Sequence, residues 1–166
     1  MYYQLFDNLQ QIFEESDFDS AFQPVSPEEY DERLKQKIER LAKEQSWIQN
    51  PDGSYSCEGT VYLFDLHLTK LPVTFKEVRG HFYCFHNQLT SLQGAPAHVG
   101  GDFSCSQNNL TSLQGAPAHV RGNFFCRGNR LTSLQGAPAH VGGYFDCYRN
   151  PVPEQQLKQT VKRDYL

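Results

Sequence analysis

The chain has 166 residues, of which 39% are hydrophobic and 20% are charged, a composition typical of a soluble globular protein with one domain. Residues 1–50 carry eleven acidic and five basic side chains, a net charge of −6, and residues 51–166 carry eight and ten, a net charge of +2. Neither part has the basic stripe of a nucleic-acid-binding protein, and no apolar run approaches the ~20 residues that cross a bilayer, so we expect neither nucleic acid nor a membrane as a partner.

Residues 1–50 are predicted to form a helical N-terminal region that caps the rest of the chain. The first residues lack the basic start and apolar stretch of a secretory signal, so we expect a cytoplasmic protein, either of a bacterium or of a host cell after delivery. One amphipathic helix is predicted from about residue 2 to 15, with apolar residues Tyr2, Phe6, Leu9 and Phe13.

A second helix is predicted near Pro27, because Ser26 and Glu29 form a capping-box pattern at its start. The apolar side chains on one face of this helix are Tyr30, Leu34, Ile38 and Leu41. Both helices belong to the predicted N-terminal cap.

Residues 51–152 are predicted to form a solenoid with a 21-residue repeat. The segment LTSLQGAPAHV occurs without change at 89–99, 110–120 and 131–141. The coils are a degenerate first coil (57–77), a second (78–98), a third (99–119), a fourth (120–140) and a partial fifth (141–152). The repeated rows are Leu68, Leu89, Leu110 and Leu131; Leu71, Leu92, Leu113 and Leu134; Val78, Val99, Val120 and Val141; Phe82, Phe103, Phe124 and Phe145; Cys84, Cys105, Cys126 and Cys147; Asn87, Asn108, Asn129 and Asn150. Such a period, with leucine and asparagine at fixed offsets, indicates stacked coils.

Each coil is predicted to contain one strand and a return without a helix. Residues 99–105 alternate between apolar or small residues and polar ones, the pattern of a strand with one buried face. The QGAPAHV segment is too short for a helix, and its proline favours an extended return. Parallel strands would then stack with the Phe, Cys and Leu rows inside, and residues 153–166 are predicted to form a short C-terminal capping helix.

The pattern FxCxxNxLTSL resembles the LxLxxNxLxxL core of leucine-rich repeats over about residues 57–152, with Phe and Cys where that family usually has Leu. The helix-free return is similar to the short repeats of bacterial effectors, and LTSLQGAP…GGxFxC resembles repeat proteins of bacteria and phages. The resemblance implies an α+β leucine-rich repeat solenoid. It also implies that the asparagine row bonds to backbone groups of neighbouring turns.

The cysteine and histidine rows are the features that could suggest a metal or redox site. In-register strands would hold the cysteines ~4.8 Å apart with parallel side chains, which disfavours disulfides, and no zinc-binding spacing is present. We expect core packing for the cysteines and no role for the exposed His98, His119 and His140. Because GxSxG, Walker and HExxH strings are also missing from the sequence, we expect no enzyme, cofactor or metal.

The outward strand positions differ between coils, whereas the QGAPAH segment, also expected to be exposed, does not. Random drift would have changed both, and the differing positions are rich in aromatic residues and arginine, which anchor interfaces. We therefore predict a partner-binding surface on the concave sheet face. Its residues are Arg79, His81, Tyr83, Phe85, His86, Asp102, Arg121, Asn123, Phe125, Arg127, Tyr144, Asp146, Tyr148 and Arg149.

The leading hypothesis is a protein–protein interaction module without enzymatic activity. The resemblance favours an inhibitor or interfering protein of phage or bacterial origin. A second hypothesis places function in the acidic residues 1–50, with the repeats as a scaffold. A third is an enzyme or a bacterial effector acting in a host cell through His81, His86 and the cysteines.

Overall fold

The structure is a computed structural model that describes residues 27–153 and residue 156. The predicted helix at 2–15, Ser26 of the capping box and most of the predicted C-terminal helix lie outside the described residues. The chain forms two compact units, residues 1–37 and 38–166. Among the described residues, no helix is long and apolar enough to cross a membrane.

Helix α1 spans Pro27–Glu44 and begins where the sequence predicts. Ile38, Leu41 and Ala42 are buried at the helical spacing of three and four residues. The helix ends in a Schellman motif: Ser46 has a left-handed φ of 55°, and the Trp47 N–H donates to the Ala42 carbonyl at 2.7 Å.

Two sheets run along the array of coils. The first sheet contains β1 (Ile48–Gln49), β2 (Tyr55–Cys57), β4 (Phe75–Val78), β6 (His98–Val99), β8 (His119–Val120) and β10 (His140–Val141). The second contains β3 (Val61–Tyr62), β5 (Phe82–Tyr83), β7 (Phe103–Ser104), β9 (Phe124–Phe125) and β11 (Phe145–Asp146). Apart from the antiparallel β1–β2 pair, the strands are parallel.

The 21-residue register predicted from the sequence is confirmed. Cys57 pairs with Val78, as expected for a degenerate first coil, and Val61 pairs with Phe82. Within the described residues, the protein is a parallel-sheet solenoid of about four turns with one helix, α1, before the first coil.

The prediction of one strand per coil is wrong, because the chain bends at Gly100–Asp102 between β6 and β7. Backbones of successive coils approach closely at this bend: the Gly101 N–H donates to the Gly80 carbonyl at 2.9 Å. A Cβ added at Gly100 would overlap the carbonyl oxygen of Arg79. The glycines therefore permit the bend that divides the expected strand into two.

The Phe, Cys and Leu rows form the core, as predicted. The rings of Phe82 and Phe103 stack with centroids 5.5 Å apart, and the Phe103–Phe124 and Phe124–Phe145 pairs follow at 5.2 Å each. Phe145 and Cys147 are only half-buried, because they belong to the last coil.

The asparagine row bonds to the backbone of the preceding coil, as the family resemblance implies. Asn108 accepts from the Leu89 N–H at 2.9 Å and donates to the Cys84 carbonyl of the preceding coil at 3.0 Å. Asn129 and Asn150 repeat both bonds one and two coils further on. Each of these side-chain amides thus joins two coils.

The residues after α1 cover the first coil. The ring of Trp47 packs edge-on against Phe75 at 4.8 Å and Tyr55 at 5.9 Å. The side-chain amide of Gln45 accepts from the Tyr62 N–H at 2.8 Å and donates to the Tyr62 carbonyl at 3.1 Å. Gln45 therefore takes the place of a neighbouring strand beside β3.

Candidate binding surface

The side of the second sheet that faces away from the core, called the outer face below, consists of side chains that alternate with the buried Phe and Cys rows. They form columns with one member per coil. The first column is Thr60, His81, Asp102, Asn123 and Tyr144; the second is Tyr62, Tyr83, Ser104, Phe125 and Asp146; the third is Phe64, Phe85, Ser106, Arg127 and Tyr148. The members from the first coil were missed in the sequence prediction, although stepping back 21 residues from Tyr83 and Phe85 would have identified Tyr62 and Phe64.

The first column is a hydrogen-bond ladder between coils. The His81 N–H donates to Thr60 Oγ1 at 3.4 Å, and the Asp102 N–H donates to His81 Nδ1 at 2.9 Å. The Asn123 N–H donates to Asp102 Oδ1 at 2.7 Å, and the Tyr144 N–H donates to Asn123 Oδ1 at 2.8 Å. His81, Asp102 and Asn123, which the sequence assigns to partner binding, thus connect the coils.

Aromatic side chains of the first two coils form a cluster on the outer face. Phe64 and Phe85 stack with centroids 4.8 Å apart, and Tyr62 lies 5.9 Å from Tyr83. Tyr83 also stacks on His81 at 5.4 Å and contacts Phe85 at 6.1 Å. With only 8% of its surface exposed, Tyr83 is buried, so the expectation that its side chain is exposed is wrong.

The third coil carries small polar residues on the same face. Ser104 and Ser106, of the second and third columns, are only 7% and 6% exposed, and their hydroxyl groups lie 3.4 Å apart. They are flanked along the columns by the larger Tyr83 and Phe85 on one side and Phe125 on the other. This coil therefore offers little contact surface.

The fourth and fifth coils carry exposed tyrosine and arginine side chains. Tyr144 and Tyr148 are 69% and 70% exposed, and the Arg149 guanidinium lies 5.8 Å from the Tyr148 ring centre. Arg121, Arg127 and Arg149 are exposed, Phe125 is half-buried, and Asp146 lies 3.9 Å from Arg127. Five of the seven exposed residues of the predicted surface thus lie at this end, and Arg79 and His86 of the second coil are the other two.

A fourth column follows the third and has a left-handed backbone throughout. It contains Asp65, His86, Gln107, Gly128 and Arg149, with φ between 53° and 67°. The His86 Nδ1 atom lies 3.3 Å from the Asp65 carboxylate. The left-handed backbone determines the direction in which the His86 and Arg149 side chains leave the chain. The sequence pattern does not reveal this conformation.

Arg79 lies at the bend of the second coil. It donates to the Glu58 carboxylate at 2.9 Å and lies 3.8 Å from Glu77. Arg79 is thus paired with acidic side chains, whereas Arg121, at the same position two coils on, has no ion pair within residues 27–153.

The cysteine and histidine rows have different environments. Burial raises the pKa of the Cys84, Cys105 and Cys126 thiols, and no disulfide joins the five cysteines. The exposed rings of His98 and His119 stack 5.0 Å apart. In the part of the chain that the structure describes, no three His, Cys, Asp or Glu side chains are placed to hold a metal ion.

Comparison with known proteins finds no matching family model, no matching curated protein and no matching solved structure.

Proposed function

We propose that the chain is a leucine-rich repeat module without enzymatic activity that binds a partner protein through the outer face of the second sheet. The leucine rows and the asparagine bonds between coils support the repeat type. The proposed contact surface is narrower than the one expected from the sequence, because it is centred on the fourth and fifth coils.

The observation that carries this proposal is the exposure of Tyr144 and Tyr148 on a hydrogen-bonded backbone. The tyrosines are about 70% exposed, although tyrosine side chains of folded domains are usually at least partly buried. The Tyr144 and Tyr148 carbonyls accept from Phe124 and Gly128 of the fourth coil at 2.7 and 2.9 Å. Tyrosine and arginine on a preorganised backbone bind with little loss of conformational entropy.

The resemblance of the repeat to bacterial and phage proteins supports a narrower role as an inhibitor or interfering protein. In that role, the module would occupy a surface that its partner needs for another interaction. Binding through a rigid face is sufficient for such a role, since no chemical step is required.

Site-specific photo-crosslinking in cells that produce the chain tests the proposed function. A benzophenone amino acid replaces Tyr148 in one variant and Gln114, an exposed residue of the QGAPAH return, in the other. We expect one protein to crosslink from position 148 and not from 114, and the double variant Tyr144→Ala/Arg149→Ala to reduce its capture. Equal crosslinking from both positions, or none from 148, would contradict the proposal.

A further inference from the structure

We infer that the partner supplies an acidic segment in an extended conformation, which pairs with the free edge of β11 beside the arginines of the fourth and fifth coils. This inference rests on the proposed function and specifies the chemistry of the partner. Two observations support it: the positive charge of these coils and the free edge of the second sheet at β11.

The C-terminal coils carry a net positive charge that comes from arginine. Residues 103–153 contain four arginines, no lysine and one acidic residue, Asp146, which gives a net charge of +3 with neutral histidines, whereas residues 1–50 have a net charge of −6. The four arginines are Arg121, Arg127, Arg130 and Arg149, and all are exposed. A carboxylate is the natural complement of such a group, because guanidinium binds it through two parallel hydrogen bonds.

The ion pairs within the structure leave this charge available. Arg127 reaches Asp146 only at 3.9 Å, with 59% of its side chain exposed. Within residues 27–153, Arg121, Arg130 and Arg149 have no ion pair. An incoming carboxylate would therefore not have to displace an established partner from these three side chains.

Strand β11 ends the second sheet and, within residues 27–153, has no neighbouring strand on one side. The Phe124 and Cys126 N–H groups donate to the Tyr144 and Asp146 carbonyls at 2.7 and 2.8 Å. Among the described residues, no hydrogen bond joins the corresponding N–H groups of Phe145, Cys147 and Arg149 to another residue. Such an edge can pair with an extended segment of another chain.

The opposite edge of the same sheet is blocked by the side-chain amide of Gln45, which occupies the backbone groups of Tyr62. Only the cationic end of the sheet therefore combines an unpaired edge with exposed arginines. A protein segment fits this combination better than a nucleic acid, because a phosphate backbone has no peptide groups to continue the ladder.

Fluorescence anisotropy with the full chain tests this inference. The probe is a labelled peptide of alternating glutamate and threonine, which places every glutamate on one face when extended. Three reference ligands are compared with this probe. A lysine–threonine peptide tests the preference for negative charge, the acidic peptide with alternate N-methylated residues tests pairing with the backbone, and oligothymidylate tests binding of a nucleic acid. The variants are Arg127→Glu/Arg149→Glu and, as a matched control, Lys70→Glu/Lys76→Glu in the first coil, where both lysines are exposed.

We expect the acidic peptide to bind more tightly than the lysine peptide and to lose affinity at high salt. Arg127→Glu/Arg149→Glu should weaken binding about tenfold or more, and N-methylation should weaken it as well, while the lysine variant binds like the unmodified chain. Equal binding of both peptides, tighter binding of oligothymidylate, or an equal loss in the lysine variant would each overturn the inference.

The crosslinked partner separates this inference from the proposed function. The variant Arg127→Gln/Arg149→Gln removes two positive charges. If it captures the partner normally while Tyr144→Ala/Arg149→Ala reduces capture, the proposed binding surface is correct and the inference of an acidic segment is wrong. If neither affects capture and position 148 does not crosslink, the proposed function itself is wrong.

Discussion

The Asp102 carboxylate accepts hydrogen bonds from both the backbone N–H and the side-chain amide of Asn123, at 2.7 and 3.0 Å. Asp102 thereby joins the third coil to the fourth, on a column that is variable in sequence. In each of the first four coils a different side chain makes the same connection, so variation among Thr60, His81, Asp102 and Asn123 does not by itself indicate partner binding.

Replacing Asp102 tests this connection. We expect Asp102→Ala to lower the free energy of unfolding by about 1–3 kcal/mol, because it leaves the Asn123 N–H without its acceptor. Asp102→Asn keeps an oxygen at the same place and should lose less. Urea denaturation of the two variants measures the difference, and an equal loss in both would show that the hydrogen bond is not what matters.

The asparagine ladder should be most important in the interior of the array. Asn108→Ala leaves the buried Leu89 N–H without its acceptor and removes one of the two side-chain amides that donate to the Cys84 carbonyl, so we expect a loss of about 1–3 kcal/mol. Asn150 makes equivalent bonds but is only half-buried. Asn150→Ala should therefore cost less in the same denaturation experiment, and a larger cost than that of Asn108→Ala would contradict this account.

Glycine recurs at the bend of every coil, as Gly59, Gly80, Gly101, Gly122 and Gly143. This row provides a test of the close approach between coils. A Cβ at Gly122 would lie 2.8 Å from the Gly101 carbonyl carbon and 2.9 Å from the Asp102 nitrogen, whereas a Cβ at Gly59 would meet no atom within 4 Å. We expect Gly122→Ala to lower the melting temperature and to cost about 1–3 kcal/mol. Gly59→Ala should be neutral or slightly stabilising. Similar effects of the two changes would contradict the close approach of the coils.

The buried thiols predict a loss of stability at high pH. Burial raises the pKa of Cys84, Cys105 and Cys126, so above about pH 8.5 the unfolded chain releases thiol protons that the folded chain retains. The unfolded state then binds fewer protons, and the free energy of unfolding falls by up to about 1.4 kcal/mol per pH unit for each thiol.

Urea denaturation in the presence of a reductant, at neutral and alkaline pH, measures this effect. Cys105→Ala serves as the control, because it removes one of the three fully buried thiols. Its stability should be lower at neutral pH but should fall less steeply as the pH rises. Parallel pH dependences of the variant and the unmodified chain would contradict the prediction.

The sequence predicts the register and the core well, because both depend on residues that recur every 21 positions, and the asparagine bonds agree with what the family resemblance implies. It predicts the strand division poorly: Gly100 and Gly101 fit an alternating pattern, and only the contact between backbones of successive coils reveals the bend. It also assigns Tyr83 to the exposed surface, because burial by Tyr62, His81 and Phe85 depends on neighbours one coil away. The exposed end at Tyr144 and Tyr148 depends on where the stack stops.

The 21-residue register also makes the array extensible. An interior coil bonds to its neighbours through backbone groups and an asparagine that the second to fifth coils share, so duplication of an interior coil would preserve those contacts. Each added coil would move the aromatic cluster and the arginine-rich end apart by one strand spacing, ~4.8 Å. Duplication of the repeat could therefore lengthen the distance between two surface features in fixed steps while leaving each feature intact.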